Sequence, residues 1–389
     1  MFDFDKINDR RGYSCAKWDF LESDQLTPFT CADMEFQTAP AVLEGIKRIT
    51  EHGIYGYTLT NDDLGQSVSR WYRDMHQWDP DQEWVVYVPR VLQGVNALLD
   101  VLDRRLDRVL IFSPWYDHLA QAIENNGKKI AEHRLVYSDQ GYKIDFEYLE
   151  KQVVEGDIHI MLFTNPHNPT GRVWLKEELD RLVEICLKHD IYLISDDIHS
   201  DLTYGETSYY PIGKYEQMKE RIIIFNSPAK TFNVAGLHTS YAIIPSQSLR
   251  QAFQKKLKAL MIHAPNMFAV DVIKNAYANS DKWYQGLLEY LDGNLKLIEE
   301  VFLAELPELK LIRPEGTYLA WFDYSSLKVS EEEFTQWLIN QCGIKFSIGS
   351  EFGDTGIGYM RINFACSRSQ LKNALMNMAK QMDYFRGKK

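Results

Sequence analysis

The sequence contains few cysteines, and their arrangement excludes two common uses of this residue. Five occur in 389 residues, an odd number that is widely spaced and contains no CxxC pair, so neither a disulfide framework nor a zinc site is indicated. Unpaired cysteines are typical of a reducing compartment. We therefore predict no metal site and a cytoplasmic protein. The five cysteines are Cys15, Cys31, Cys186, Cys342 and Cys366.

Long apolar runs and blocks of positive charge are also absent. No stretch of about 18 apolar residues occurs, and the first 20 residues, MFDFDKINDRRGYSCAKWDF, lack an apolar segment of the signal-peptide type. The net charge is −12 and the Lys and Arg residues are scattered, which disfavours a nucleic-acid or membrane partner. The expected partners are small molecules or other protein chains.

Short apolar runs recur through the middle of the chain and predict buried strands. They are EWVVYVP (83–89), RVLIFSP (108–114), IHIMLFTNP (158–166), IYLISDD (191–197), RIIIFNSP (221–228) and SYAIIP (240–245). Helical patterns separate several of them, as in Val95, Leu98, Leu99 and Leu102 after the first run. Alternation of strands and helices predicts an α/β fold with a mostly parallel sheet between helices.

The remaining segments predict a second, smaller unit. Residues 48–289 form the predicted large domain, which contains all six apolar runs. Residues 1–47 and 290–389 have a different mixture of residues, including EGTYLAWFDY, IKFSIGSEFG and a final amphipathic helix. We assign these two segments jointly to a small α+β domain.

Chemically active side chains follow four of the predicted strands. WYDH, NPHNPTG, DDIHSD and SPAK come directly after the apolar runs, where ligands collect in open α/β sheets. An aromatic ring, an amide, a carboxylate, a hydroxyl and an amine therefore converge on one crevice. Pyridoxal phosphate offers a matching group to four of these, because it has an aldehyde for the amine, a ring nitrogen for the carboxylate, a phenolic oxygen for the amide and a flat ring for the aromatic side chain.

Seven motifs spread over essentially the whole chain carry a family resemblance: CADMEFQTAP, GIYGYT, NPHNPTGRVW, SDDIHSDL, SPAKTFNVAGL, PEGTYLAW and GYMRINFACSR. The sequence resembles the fold-type I, class I/II pyridoxal-phosphate enzymes, and within them the MalY/PatB-like cystathionine β-lyase branch. The resemblance implies the fold-type I transferase fold, a pyridoxal 5'-phosphate cofactor and a homodimer with shared active sites.

The resemblance assigns roles around the cofactor ring. Lys230 is implied to be the catalytic lysine that forms the Schiff base, and Asp196 to pair with the ring nitrogen. The adjacent Asp197 leaves open which carboxylate points inward. Asn168 is implied to bind the phenolic oxygen. His199 stands where many relatives have a tyrosine that reaches the same oxygen, and a packed core histidine is the competing interpretation.

Other positions are implied to hold the flat ring and the phosphate. Tyr116 is the implied stacking ring, with Trp115 as its rival. Val91 and Leu92 align with family positions at a helix N-terminus, whose backbone N–H groups bind anions. Ser227 is implied to add a hydroxyl to the phosphate site.

Two further positions concern the same phosphate. Tyr57 is implied to reach the phosphate from the neighbouring subunit. His238 is a departure, because many aminotransferases have an arginine eight residues after the lysine. We expect phosphate anchoring at His238 to be weaker or pH-dependent, since histidine changes charge near neutral pH.

The resemblance also implies a substrate-binding residue, Arg361, which matches the family arginine that binds the substrate α-carboxylate in a bidentate pair. Ala32 and Asp33 are implied to line the same end of the pocket. Glu35 replaces the aspartate common in this branch.

Three functions follow from these residues. A carbon–sulfur β-lyase and an aminotransferase use the same lysine, aspartate and arginine, so spacing alone does not separate them. The branch resemblance favours the lyase, acting on cystathionine or cysteine S-conjugates to give a thiol, pyruvate and ammonia. A regulatory protein-binding role is the third hypothesis, since relatives in this branch can be partners of transcription regulators.

Overall fold

The computed structural model describes residues 2–103, 105–138 and 141–387, and a seven-stranded sheet lies at its centre. The strand at 240–243 runs antiparallel to both its neighbours, and the other strands share one direction. The six predicted strands all lie in this mostly parallel sheet, as expected. In spatial order the strands are Val85–Val88, Ser240–Ile243, Ile222–Asn226, Tyr192–Asp196, Ile160–Thr164, Arg108–Ser113 and Lys129–Arg134.

Both faces of the large sheet are covered by apolar side chains. In the strand Ile222–Asn226, Ile223 and Phe225 belong to the core beneath helices Val91–Val101 and Gln247–Ala259. The other two isoleucines of the strand belong to the core on the opposite face. Because neither face meets water, the strand is apolar at successive positions instead of alternating.

Helices connect and cover the strands, and their ends carry recognisable caps. The side chains of Ser330 and Ser367 each accept a backbone N–H at a helix start, as serine commonly does. Gly53, at a φ of 70°, ends the first helix in the left-handed conformation that suits glycine. The α-helices of the described chain are Pro40–His52, Asp62–His76, Val91–Val101, Asp117–Asn125, Phe146–Gly156, Lys176–Lys188, Pro228–Thr231, Gln247–Ala259, Ala269–Asn279, Asp281–Glu305, Glu331–Asn340, Arg368–Gln381 and Asp383–Arg386.

A second, antiparallel sheet lies in the C-terminal part of the chain. Its core includes buried residues of helices Asp281–Glu305 and Arg368–Gln381. The N-terminal segment joins this part through Thr27–Pro28, which pairs in parallel with Ile344–Lys345. A small hairpin pairs Val136–Ser138 with Gly141–Lys143. In spatial order the strands of the second sheet are Lys310–Ile312, Leu319–Asp323, Tyr359–Asn363 and Ser347–Ile348.

The predicted domain boundaries, after residues 47 and 289, both fall inside helices. Helix Pro40–His52 packs against Ala269–Asn279, and the long helix Asp281–Glu305 continues from one predicted domain into the other. The division of the chain stays a prediction. Among the described residues, no helix combines the length and apolar character needed to cross a membrane.

Candidate active site

A cavity of about 890 Å³ lies at the carboxyl ends of the parallel strands and reaches the second sheet. This is where the sheet topology predicts a ligand site. Most of the predicted site residues line it, although they come from positions far apart in the chain. The lining includes Ala32, Asp33, Val91, Leu92, Tyr116, Asn168, Asp196, His199, Lys230 and Arg361.

Lys230 lies in the short helix Pro228–Thr231, directly after a central strand. Its Nζ donates a hydrogen bond of 2.6 Å to the carbonyl oxygen of Ala32. Burial lowers the pKa of Lys230 and nearby Arg361 adds to the effect, whereas the negative charge of Asp33 opposes it. A lowered pKa increases the share of neutral amine, which is the nucleophilic form.

The two neighbouring aspartates occupy different environments. Asp196 lines the cavity and accepts one hydrogen bond, 3.2 Å, from the backbone N–H of Ile198. Burial raises the pKa of Asp196 to about 6. Asp197 accepts hydrogen bonds from the hydroxyls of Ser195 and Tyr209, and burial raises its pKa to about 7. The carboxylate that faces the cavity is therefore that of Asp196, whereas the Asp197 carboxylate is bonded to buried side chains away from the cavity.

Asn168 and Arg361 are joined across the cavity wall. Arg361 Nη1 donates to Asn168 Oδ1 at 2.9 Å, and Nη2 donates to the Thr30 carbonyl and the Ser347 hydroxyl, each at 3.2 Å. Only 5% of Arg361 is exposed, and its buried Nε has no hydrogen-bond partner within the described chain. An unpaired guanidinium N–H beside a cavity is suited to an anionic ligand.

His199 and Tyr116 also reach the cavity. The buried His199 ring packs edge-on against Tyr318, with centroids 5.9 Å apart. Its Nδ1 has no partner in the described structure, and burial lowers the pKa of His199 well below its usual value. Tyr116 lines the cavity, whereas Trp115 packs against Gly353 in the C-terminal part. Of the two rival rings, Tyr116 is the one that lines the cavity.

The predicted phosphate residues are not all brought together. Val91 and Leu92 begin the helix Val91–Val101 and line the cavity. Ser227 lies buried behind the wall, where its hydroxyl donates to the Thr239 carbonyl and accepts from the Ala229 N–H. Tyr57 is fully exposed and lies on a different surface pocket.

The segment 30–36 is held in place by side chains that the sequence did not single out. Asn363 donates from Nδ2 to the carbonyls of Cys31 and Asp33, and Asn233 does the same to Met34 and Phe36. Tyr318 donates to the Ala32 carbonyl at 2.8 Å. These residues lie within three of the quoted motifs, which is the one signal that could have identified them.

A partly buried ion-pair network lies behind Asp33. Arg10 contacts Asp33 at 2.6 Å and Glu35 at 3.1 Å, and Lys17 contacts Glu35 at 2.6 Å. Trp18 adds a hydrogen bond of 3.0 Å to Glu35. Burial opposes ionisation of Asp33, but the Arg10 hydrogen bond and the charges of Arg10 and Lys17 lower its pKa. Asp33 therefore carries a negative charge into the cavity.

The fold and the cavity together define a large α/β enzyme of fold type I, as predicted from the sequence. The chain belongs to the aminotransferase class I and II family, whose model matches residues 26–377. It is 32% identical to cystathionine beta-lyase PatB of Bacillus subtilis, over 96% of this chain and 97% of that protein.

Two solved structures have closely similar folds. Cystalysin of Treponema denticola, which contains a pyridoxal 5'-phosphate cofactor, has a TM-score of 0.93 and 32% identity, covering 99% of each chain. The pyridoxal-phosphate-bound C–S lyase of Staphylococcus hominis has a TM-score of 0.92 and 29% identity, covering 98% of each chain.

Proposed function

We propose that this protein is a pyridoxal-phosphate-dependent carbon–sulfur β-lyase that cleaves cystathionine or related cysteine S-conjugates to a thiol, pyruvate and ammonia. The observation that carries the proposal is the convergence of Lys230, Asp196 and Arg361 on one cavity. The relatives support the choice among reactions, because PatB is named for cystathionine β-lyase activity and the Staphylococcus protein for C–S lyase activity.

The residues of the cavity fit the cofactor. Its volume of about 890 Å³ lies in the range of small-molecule sites. Three buried groups have hydrogen-bonding capacity to spare: the Asp196 carboxylate, the Nδ1 of His199 and the Nε of Arg361. Such groups are costly to bury unless a ligand completes them.

Asp196 and Asn168, which both line the cavity, would hold the cofactor ring. When bound, pyridoxal phosphate supplies an aldehyde that condenses with amines and a ring that accepts the electron pair left when the α-proton departs. Asp196 would hold the ring nitrogen of the cofactor in its protonated form, and a positive charge there would keep the carboxylate ionised although burial raises its pKa. Asn168 offers its amide N–H group to the phenolic oxygen, because its carbonyl oxygen is already used by Arg361.

Arg361 orients the amino-acid substrate. Its guanidinium has the planar donor geometry that matches a carboxylate, and its Nε is the unpaired donor. Pairing with the α-carboxylate fixes the α-carbon relative to Lys230, which is the purpose of a positioning group.

Lys230 moves the proton. Its Nζ would act as a base towards the α-proton of the bound amino acid, and burial favours the neutral form of the amine. It takes the α-proton, after which the bond between the β-carbon and sulfur breaks. The proton held at Nζ is then available to the departing thiolate. Addition of water to the remaining three-carbon unit releases pyruvate and ammonia.

A single comparison tests the function. Protein incubated with cystathionine and no oxo-acid should release equal amounts of thiol and pyruvate, and Lys230→Ala should release neither. Turnover that appears only when 2-oxoglutarate is added would replace the lyase with an aminotransferase. A wild-type protein that takes up no pyridoxal phosphate would overturn both.

We also propose that the enzyme is a cytoplasmic homodimer in which Tyr57 reaches the partner's cofactor phosphate. Ile54, Tyr55, Tyr57 and Leu59 are all exposed by 60% or more, an arrangement that suits a protein interface. The mass in solution tests the dimer. Tyr57→Phe should weaken cofactor binding without changing the mass; unchanged binding would remove Tyr57 from the site.

A further inference from the structure

Arg90 and His238 form a hydrogen-bonded pair at the edge of the active-site cavity. The Nε and Nη2 of Arg90 lie 3.1 and 2.8 Å from His238 Nε2. Arginine has only donors, so His238 Nε2 is the unprotonated acceptor of both bonds and the ring is neutral. The His238 backbone is fixed as well, because its carbonyl accepts a hydrogen bond of 2.9 Å from the Tyr87 hydroxyl.

The two residues differ in their access to the cavity. Arg90 directly precedes the helix Val91–Val101 and lines the cavity beside Val91 and Leu92. His238 is not part of the lining. His238 therefore contacts the lining residue Arg90 without lining the cavity itself.

Arg90 differs from the other cations of the cavity because it has neither a carboxylate partner among the described residues nor a role in the proposed reaction. Lys345 is paired with Glu22, and Arg361 bonds Asn168 and is proposed to bind the substrate carboxylate. Lys230 is the proposed nucleophile. Arg90 has no carboxylate partner among the described residues, and His238 uses two of its five N–H donors, which leaves three.

We propose that Arg90 binds the phosphate of pyridoxal phosphate and that His238 is the positioning residue that aims it. This inference rests on the proposed function. A phosphate dianion at a helix N-terminus meets the positive end of the helix dipole and free backbone N–H groups. Arginine adjacent to that point adds a charge-assisted, bidentate contact. Arg90 thus takes the place of the arginine that many aminotransferases have at the position of His238.

Binding of two related compounds to the apoprotein tests the proposal. Pyridoxal phosphate and pyridoxal share the aldehyde and ring but differ in the phosphate, and their dissociation constants are measured by quenching of tryptophan fluorescence. Arg90→Met should weaken pyridoxal phosphate by about 10- to 100-fold and leave pyridoxal within about twofold. Inorganic phosphate should compete with pyridoxal phosphate less well in the variant.

Two variants at position 238 test the positioning role. His238→Phe removes the acceptor and should lose part of the discrimination between the two compounds, whereas His238→Gln supplies a carbonyl acceptor and should restore it. Arg70→Met, which removes an exposed arginine of helix Asp62–His76, is the matched control and should match the wild type.

The outcomes separate this inference from the proposed function. If Arg90→Met keeps the wild-type ratio of the two dissociation constants, Arg90 does not bind the phosphate, while the cofactor assignment stands. Equal loss of both compounds would also overturn the phosphate role, because it indicates general damage to the site. Wild-type apoprotein that binds neither compound would overturn the function and the inference together.

Discussion

Asn168 Oδ1 and Arg361 Nη1 are 2.9 Å apart, so one hydrogen bond joins the proposed cofactor contact to the proposed substrate contact. The bond is buried, and the two residues lie 193 positions apart in the sequence. A change at either residue therefore alters how the other is held.

Arg361→Met should raise KM for cystathionine by about 100-fold, because a charge-assisted pair with the α-carboxylate is lost. Asn168→Ala should have a smaller effect on KM. The double variant should be less impaired than the sum of the single effects, with a coupling of about 1 kcal/mol from the shared bond. Strictly additive effects in steady-state kinetics would show that the two contacts are independent.

Asp196 and Asp197 should respond differently to replacement by alanine. Asp196→Ala should lower kcat by about 100-fold or more, since the ring loses its charged partner, with little loss of stability. Asp197→Ala leaves the buried Ser195 and Tyr209 hydroxyls without an acceptor, so the free energy of unfolding should fall by about 2–4 kcal/mol. Denaturant unfolding of the apoproteins and their kcat after reconstitution distinguish the two. The reverse pattern would mean that Asp197 is the inward carboxylate.

Replacing two charged neighbours of Lys230 should shift the pH midpoint of its reaction with pyridoxal phosphate in opposite directions. Burial has the largest effect on the pKa of Lys230 and lowers it; Asp33 opposes that effect by raising the pKa, and Arg361 adds to it by lowering the pKa further. Asp33→Asn should therefore move the pH midpoint for reaction of the apoprotein with pyridoxal phosphate downward, by about half to one pH unit, and Arg361→Met should move it upward. Stopped-flow absorbance over a pH series measures both midpoints. Shifts in one common direction would contradict this account.

The buried Lys17–Glu35 pair of the network behind Asp33 should matter for stability. Only 1% of the Lys17 side chain is exposed, and Glu35 is its closest partner. Glu35→Ala leaves that ammonium with Asp33 at 3.6 Å, so the free energy of unfolding should fall by about 3 kcal/mol. The matched control is Glu51→Ala, which breaks an exposed pair with Lys47 and should change stability by less than about 0.5 kcal/mol. Equal effects in urea unfolding would show that burial of the pair is unimportant.

The sheet could be predicted largely because its inner strands are buried on both faces. A strand such as Ile222–Asn226 then appears as an uninterrupted apolar run. The edge strand Lys129–Arg134 was missed because it lacks this complete burial. Its sequence KIAEHR mixes charged and apolar residues, because several of its side chains remain partly exposed, and no apolar run marks it.

Most residues of the site could be predicted from the sequence, but the contacts between them could not. Family motifs identified Asp196 and Asp197, yet the inward carboxylate depends on the turn that follows the strand, which the sequence alone leaves open. The contacts of Arg90 with His238 span 148 positions. Such contacts are set by how the chain returns to the sheet, and no local pattern encodes them.

The resting hydrogen bond of Lys230 ends on the Ala32 carbonyl, an atom that no side-chain substitution removes. The neighbouring carbonyls of that segment are gripped by Asn363, on a strand of the second sheet, and by Asn233. The Lys230 amine is thus connected to the second sheet through the main chain of residues 32–33 and the side chain of Asn363. Arg361 lies on the same strand as Asn363, so the residue proposed to bind the substrate carboxylate and a residue that holds the segment around the Ala32 carbonyl share one strand of the second sheet.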